Sequence, residues 1–387
     1  MPDVKNADVK NAGAYNDDED LPLEPQYHPV NKTLRKIYDF LASAKLAMAL
    51  LVAILACCLI GVTLFRGPRS GEMIFDTMWF NGLLVLLIVN VACCFFGRIW
   101  GRRVTLISFG MILFHLSFVA MFIGIIYNSL FFFRGSMRLT EGETVQNGER
   151  SSYDGVAMGR FFNVMWLKGE TTLNAMHLGY KLDGVDKKKA YDITVGEGEA
   201  KKQEVIYLTK NLNYRGFKFF PDQEGFSILT VLYDKQDKEL YGAYLPLQSL
   251  QHADKSSFFT TGTRNGPGSI AFPYAPEKPL FDLQVAYRPD PAQPKSGTAL
   301  FLVKPLGTPL SMPDQQTFEK SQTPIGAMYD AGEYRLSPRE VRYWVSMRVS
   351  YEPGQIIVLS SLWVGLFGMI LTTLGRIMKG RRDRLKA

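Results

Sequence analysis

The sequence predicts an α-helical membrane protein with four transmembrane helices and a mainly β, sandwich-like extracytoplasmic domain between the third and the fourth. Three observations carry this. Four long runs are free of charge, the basic residues gather on one side of those runs, and the polar stretch from 134 to 354 shows two-residue alternation of apolar side chains.

A helix needs about 20 apolar residues to cross the hydrocarbon of a bilayer. No Asp, Glu, Lys or Arg occurs in Leu46–Phe65, Met78–Phe96, Val104–Phe133 or Gln355–Gly375. Backbone polar groups in hydrocarbon must be satisfied within their own segment, so each run reads as a helix. The expected spans are about 46–65, 78–96, 104–130 and 355–375. One such run would suit the core of a soluble protein; four do not.

The formal net charge of +7 would suit nucleic acid if it formed one patch. Instead, Lys32, Arg35, Lys36 and Lys45 precede the first run. Arg98, Arg102 and Arg103 lie between the second and third, and Arg376, Lys379, Arg381, Arg382, Arg384 and Lys386 follow the fourth. The loop after the first run is balanced, with Arg66 and Arg69 against Glu72 and Asp76. Under the positive-inside rule both termini are cytoplasmic and residues 134–354 lie outside, so no nucleic-acid partner is expected. Residues 1–31, with Asn16-Asp-Asp-Glu-Asp20, hold too few apolar side chains to fold and are expected to form a disordered cytoplasmic tail. The first run reads as an uncleaved signal anchor, and residues 376–387 as a basic cytoplasmic tail.

The four cysteines form two adjacent pairs, Cys57-Cys58 and Cys93-Cys94, inside predicted spans. Adjacent helical residues point about 100° apart, so neither pair has redox-dithiol geometry, and both read as packing residues. The outer domain has no cysteine, and its length suffices for a core of its own. Val341, Tyr343, Val345, Met347, Val349 and Tyr351 alternate with more polar neighbours, the period of a half-buried strand. Phe281–Tyr287 repeats the pattern, and Phe226–Tyr233 and Thr298–Val303 are further strands. Asn147-Gly148, Asp154-Gly155, Asp183-Gly184 and Asn265-Gly266 suit tight turns with positive φ, and 262–280 and 288–297 read as loops.

No nucleophile elbow, P-loop, zinc-protease motif or Cys-x-x-Cys-His occurs, so no catalytic residue is assigned. One side chain stands apart. His115 lies within the third charge-free run, about 16 Å along the helix from Val104. An ionisable residue at that depth is a functional candidate by default. Its helical neighbours, Ser108, Met111, Ile112, Phe118, Val119 and Phe122, make a largely apolar, aromatic face. Two roles stay open from the residues alone: a hydrogen bond to the second span through Asn81 or Asn90, or axial ligation of haem iron. A single span histidine supplies one of two axial ligands at most. His28, His177 and His252 lack metal-ligand spacing.

The layout and four motifs resemble the ResB-type, or CcsB, family of System II cytochrome c biogenesis proteins. The first span opens Leu41-Ala-Ser-Ala-Lys-Leu-Ala and reaches Ile60-Gly61. The third contains Leu113-Phe-His115-Leu followed by Ile123-Gly124. The outer domain contains Asn211-Leu-Asn-Tyr214-Arg-Gly216-Phe-Lys-Phe219-Phe220, and Pro353-Gly354 precedes the last span. Thr63 is followed by Leu-Phe-Arg-Gly-Pro68 without the family's glutamine, and the asparagine segment lacks its usual proline, which marks a divergent member.

The resemblance implies a membrane subunit of the bacterial inner membrane. With a CcsA-type haem-handling partner it would help move haem and present it to apocytochrome c. The chain would be a non-catalytic part of a cytochrome c synthase, and membrane lipid its surroundings. It also implies His115 as a ligand to the iron of a transient haem b shared with the partner. A subunit of a respiratory membrane cytochrome and a membrane anchor presenting a β domain for protein binding are the competing functions.

Overall fold

The computed structural model describes residues 29–65, 70–99, 105–250, 258–263, 266–274, 276–307 and 322–385. Five α-helices are described: α1 (Pro29–Leu41), α2 (Ala44–Thr63), α3 (Met78–Ile99), α4 (Leu106–Phe131) and α5 (Gln355–Arg384). The last four are long and apolar enough to cross a membrane, at the positions the charge-free runs predict. Two expectations at the ends need correction. Residues 29–31, assigned to a tail, open α1, with Pro29 at the first helical position where a missing N–H costs nothing. Residues 376–384, also assigned to a tail, continue α5, whose last turn carries Arg381, Arg382 and Arg384. Cations there face the negative end of the helix dipole. Residues 1–28, Arg102, Arg103 and Asn265 lie outside the described residues.

The helices α4 and α5 pack closely along a seam of small residues. Gly110, Ser117 and Gly124 recur every seven residues on α4, and all three are buried. A Cβ on Gly110 would stand 2.7 Å from the Gly368 carbonyl oxygen, and one on Gly354 would stand 2.1 Å from that of Gly124. Gly365 approaches Ser117, and Gly375 approaches Ile107. Lipid tails are as apolar as leucine, so close van der Waals contact replaces the hydrophobic effect as the force holding membrane helices together. Hydroxyls in the seam are satisfied locally: Ser117 donates to Phe114 O at 2.7 Å and Thr372 to Gly368 O at 2.9 Å. A second apolar cluster joins α2, α3 and α4 through Leu50, Phe80, Leu84, Leu87 and Phe122.

In chain order the strands are β1 (Phe133–Thr140), β2 (Thr144–Gln146), β3 (Gly155–Met158), β4 (Glu170–Leu182), β5 (Val185–Gly196), β6 (Lys202–Ile206), β7 (Leu212–Tyr214), β8 (Phe217–Tyr233) and β9 (Glu239–Leu250). They continue with β10 (Phe258–Thr260), β11 (Gly262–Thr263), β12 (Gly266–Pro267), β13 (Ile270–Phe272), β14 (Phe281–Arg288), β15 (Thr298–Lys304), β16 (Thr323–Pro324), β17 (Tyr329–Asp330) and β18 (Arg335–Tyr351). Among the described residues, twelve of these form one antiparallel sheet with the central order β9-β8-β18-β1, and β2-β4-β5-β6 form a second sheet. One buried cluster draws Leu173, Ile193, Val195 and Ile206 from the smaller sheet and Phe219, Ile228, Leu283, Val345 and Met347 from the larger. Two sheets sharing one core is the sandwich-like arrangement the sequence predicts.

The long strands β8 and β18 extend beyond their predicted starts because each takes a proline through a bulge. Pro221 sits opposite Met347, and the next pair is Gln223 with Ser346, leaving Asp222 extra. Pro338 pairs with Thr230 and Glu340 with Leu229, leaving Arg339 extra. Proline cannot donate to a ladder, and bulges are where strands tolerate it. Of the predicted turns, Asp183-Gly184 has positive φ at both residues, 51° and 77°, and joins β4 to β5. Asn147-Gly148 and Asp154-Gly155 do not adopt positive φ. Instead, Asn147 is buried and its Oδ1 accepts from the Thr171 hydroxyl at 2.6 Å. Residues 262–280, read as loop, hold β11, β12 and β13.

The β domain is joined to the helices without slack. Strand β1 follows α4 with one residue between, and β18 reaches α5 through Glu352-Pro-Gly354. The two strands pair from Phe133↔Tyr351 to Thr140↔Trp344. Arg134 donates to Glu352 Oε1 from Nε and Nη2, at 3.1 and 2.9 Å, and Lys218 Nζ donates to Gln355 Oε1 at 2.9 Å. Phe161 N donates to Leu130 O at 2.9 Å, and Phe131 stacks on Trp166.

Substituting Gly368→Leu places a side chain where Cβ already lies 2.8 Å from Gly110 O. The expected cost is about 1–3 kcal/mol, read as a lower melting temperature of the full chain in detergent; an unchanged melt refutes the seam. The β domain also carries a pH signature. Hydrogen bonds from Arg342 and then Tyr244 hold Glu340 below the usual carboxylate range, and Lys210 and Lys202 do the same for Glu204. A carboxylate depressed in the folded state stabilises above its unfolded value of about 4.3, and that contribution is lost as pH falls through the lower folded value. Melts should therefore be level from pH 7 to about 5 and fall at lower pH. Replacing Arg342 and Lys210 by Met should flatten the fall.

Candidate functional site

His115 lies nine residues into α4, about 14 Å from Leu106 along the axis. The helix starts where Thr105 accepts the Ser108 N–H at 3.2 Å. His115 stands on the flank facing α3, about 140° around the axis from Gly110 and the α4–α5 seam. Its half-buried ring stacks on Phe95 of α3 at 4.5 Å between centroids and 27° between planes, and Phe114 meets it edge-on.

The ring's polar contact settles its tautomer. Nδ1 is 2.7 Å from Met111 O, one turn earlier. A carbonyl oxygen accepts only, so Nδ1 carries the hydrogen. In the neutral ring Nε2 then holds the lone pair. Among the described residues nothing else is bonded to the imidazole. This is the usual preparation of a metal-ligating histidine: one nitrogen held by a backbone carbonyl, the other left as donor.

The asparagines of the second span are engaged elsewhere. Asn81 Nδ2 donates to Ser129 Oγ at 2.9 Å. Asn90 Nδ2 donates to Leu41 O at 2.5 Å and Ser43 O at 3.1 Å. They tie α3 to α4 and to the start of α2, and neither is the partner of His115. What the sequence did not reveal is Phe95, because stacking across two helices depends on their relative rotation. The Met111 carbonyl is the ordinary i−4 neighbour and was accessible to sequence reasoning.

On the same helix, Met111 and Phe118, one turn before and one turn after His115, are both more than a third exposed. The site is therefore a shelf at the edge of the α3–α4 pair rather than an enclosed pocket. The residues would suit one axial contact to a flat porphyrin: an imidazole with Nε2 unpartnered among the described residues, amid apolar and aromatic groups. A second histidine on a span does not exist in the sequence, so a haem here would take a second ligand from another chain or be five-coordinate.

Elsewhere, His177 lies beside Tyr180 on exposed β4, and His28 and His252 lie outside the described residues. Among the described residues no group of three His, Cys, Asp or Glu side chains could hold a metal ion. The β domain has a cleft of ≈ 560 Å³ lined by Met176, Phe226, Phe259, Tyr343 and the loop after β14. Beside it Glu224 accepts from Lys189 and Tyr191. Burial, then the Glu224 hydrogen bond, pushes the Tyr191 phenol up from its ordinary value.

A family model described as the ResB-like family matches residues 101–379, most of the chain. The chain belongs to the ResB-like family. The matched stretch contains His115, the β domain, α4 and most of α5, and membership suggests involvement in cytochrome c biogenesis. No curated protein matches the chain.

The tautomer is directly measurable. In lipid samples, ¹⁵N spectra of the neutral His115 ring should show a protonated Nδ1 and an unprotonated Nε2. The reverse assignment removes the argument for a free donor nitrogen.

Proposed function

We propose that this ResB-like chain is a membrane subunit of cytochrome c maturation which, beside a CcsA-type partner, helps pass haem across the membrane and present it to apocytochrome c. The observation that carries the reading is His115, whose Nδ1 is held by the Met111 carbonyl within the span while Nε2 has no partner among the described residues, inside the region that matches the family. Haem is the cargo, and its iron accepts a neutral imidazole as axial ligand. With one ligand from each of two proteins, neither alone retains the haem, which suits transfer better than storage.

Orientation follows from charge. Arg35, Lys36 and Lys45 at the start of the membrane region and Arg376–Arg384 at its end support, under the positive-inside rule, a cytoplasmic side there, in a bacterial inner membrane as this reading has it. The β domain then stands outside, where apocytochrome c is found. The pairing of β1 with β18 holds the domain at the end of the helix that bears His115, so a client bound to it stays near the haem exit. The chain's own work is binding and placement; it assigns no residue to bond formation.

The test is co-purification with the CcsA-type partner. The native complex should show b-type haem absorbance, and His115→Ala should lose most of it at unchanged recovery of the partner. His115→Met, which keeps a weak donor on the helix, should retain an intermediate amount. Full haem and full c-type cytochrome staining in the His115→Ala strain would leave only the anchor function standing.

A further inference from the structure

Helix α1 is unused by the functional reading, and its residues divide sharply. At 100° per residue, Thr33, Leu34, Ile37, Tyr38, Phe40 and Leu41 fall within an arc of about 160°. Arg35, Lys36 and Asp39 occupy the remainder. The apolar arc is bare: Leu34 is 59%, Ile37 50% and Phe40 62% exposed. A soluble surface helix would turn such a face inward.

The position of α1 is fixed by its neighbours. Two residues separate it from α2. The junction is clamped to α3: Asn90 donates to Leu41 O and Ser43 O, and Cys94 Sγ to Ala42 O at 2.9 Å. Tyr38, at the margin of the apolar arc, donates its hydroxyl to Cys93 O at 2.9 Å. In the sequence Cys93 precedes Arg98, the first charge after that span, by five residues, or about 8 Å along the helix. An amphipathic helix lying in a membrane surface sinks its apolar face about 5–10 Å into the boundary between headgroups and acyl chains. The depth set by Tyr38 matches.

We propose that α1 lies in the plane of the membrane surface, with Leu34, Ile37 and Phe40 among acyl chains and Arg35 and Lys36 against anionic phospholipid headgroups. Lipid is favoured over a protein groove on two grounds. Hydrogen bonds hold α1 beside the end of α3, a helix long and apolar enough to cross a membrane, and its cations stand on the face opposite the apolar arc, where an interfacial helix carries them. Through the Ala42-Ser43 junction, α1 sets the depth of α2, as a float attached to the top of the span.

The test uses the full chain with Cys57, Cys58 and Cys93 changed to alanine and Cys94 to serine, which keeps a donor toward Ala42 O, and single spin-labelled substitutions Leu34→Cys, Arg35→Cys, Ile37→Cys and Asp39→Cys. It is reconstituted in vesicles of phosphatidylcholine with or without phosphatidylglycerol. Labels at 34 and 37 should meet dissolved oxygen severalfold more than a water-soluble nickel chelate, and labels at 35 and 39 the reverse. Equal access of the chelate to both faces overturns the proposal in favour of a helix in water. Exclusion of both reagents from 34 and 37 overturns it in favour of a protein contact. The unmodified chain gives a second measure. In nanodiscs, amide hydrogens of 33–41 should exchange more slowly with phosphatidylglycerol present, and equal rates in the two lipids overturn the anionic-headgroup assignment.

Discussion

The pairing of two chain segments that begins in the bilayer and continues into the β domain governs this molecule. Helices α4 and α5 meet along glycines and serines whose Cβ positions leave no room for larger side chains. The chain then leaves α4 as β1 and returns to α5 from β18, and these strands are hydrogen-bonded neighbours over eight residues each. Membrane pair and strand pair are one antiparallel ribbon crossing the boundary of two solvents. Each half needs the other: helices set apart would pull β1 and β18 out of register, and unpaired strands would leave their backbone groups unsatisfied.

Most polar side chains within the helices are satisfied in one of two ways. The hydroxyls of Ser117, Ser361, Thr372 and Thr373 return to carbonyls of their own helix. Asn81 and Asn90 link helices. Unmet polar groups in hydrocarbon cost several kcal/mol, roughly, so this pattern is expected. At His115 one nitrogen is held by the Met111 carbonyl, while the other has no partner among the described residues; the buried side-chain oxygens of Asn81 and Asn90 are likewise without one. Of these, His115 is the one ionisable group, and an ionisable side chain within a span is where function is to be sought.

The rigid joint also gives the β domain its use. Arg134 with Glu352, Lys218 with Gln355, and Phe131 against Phe161 and Trp166 brace the domain at the level where the helices end. A domain on a flexible linker would sample a large volume. This one is braced against the end of the span that carries His115, which suits the proposed delivery of a membrane-held cargo.

The amino-acid sequence alone determined the four membrane helices, the β character of the intervening domain and the singling out of His115. Each rests on a local property: absence of charge over a span's length, a two-residue period, one ionisable ring in an apolar run. It read β8 and β18 short, because Pro221 and Pro338 argue against a strand unless the partner strand accommodates a bulge, which only pairing reveals. It missed α1, where a polar face and an acidic neighbouring stretch hide a 3.6-residue period. Tertiary structure decided which asparagines bond which helices, that Phe95 and not Asn81 or Asn90 lies against His115, and that β1 meets β18 some 200 residues apart. These depend on the rotation of one helix against another and the register of distant strands, quantities that no local pattern of residues encodes.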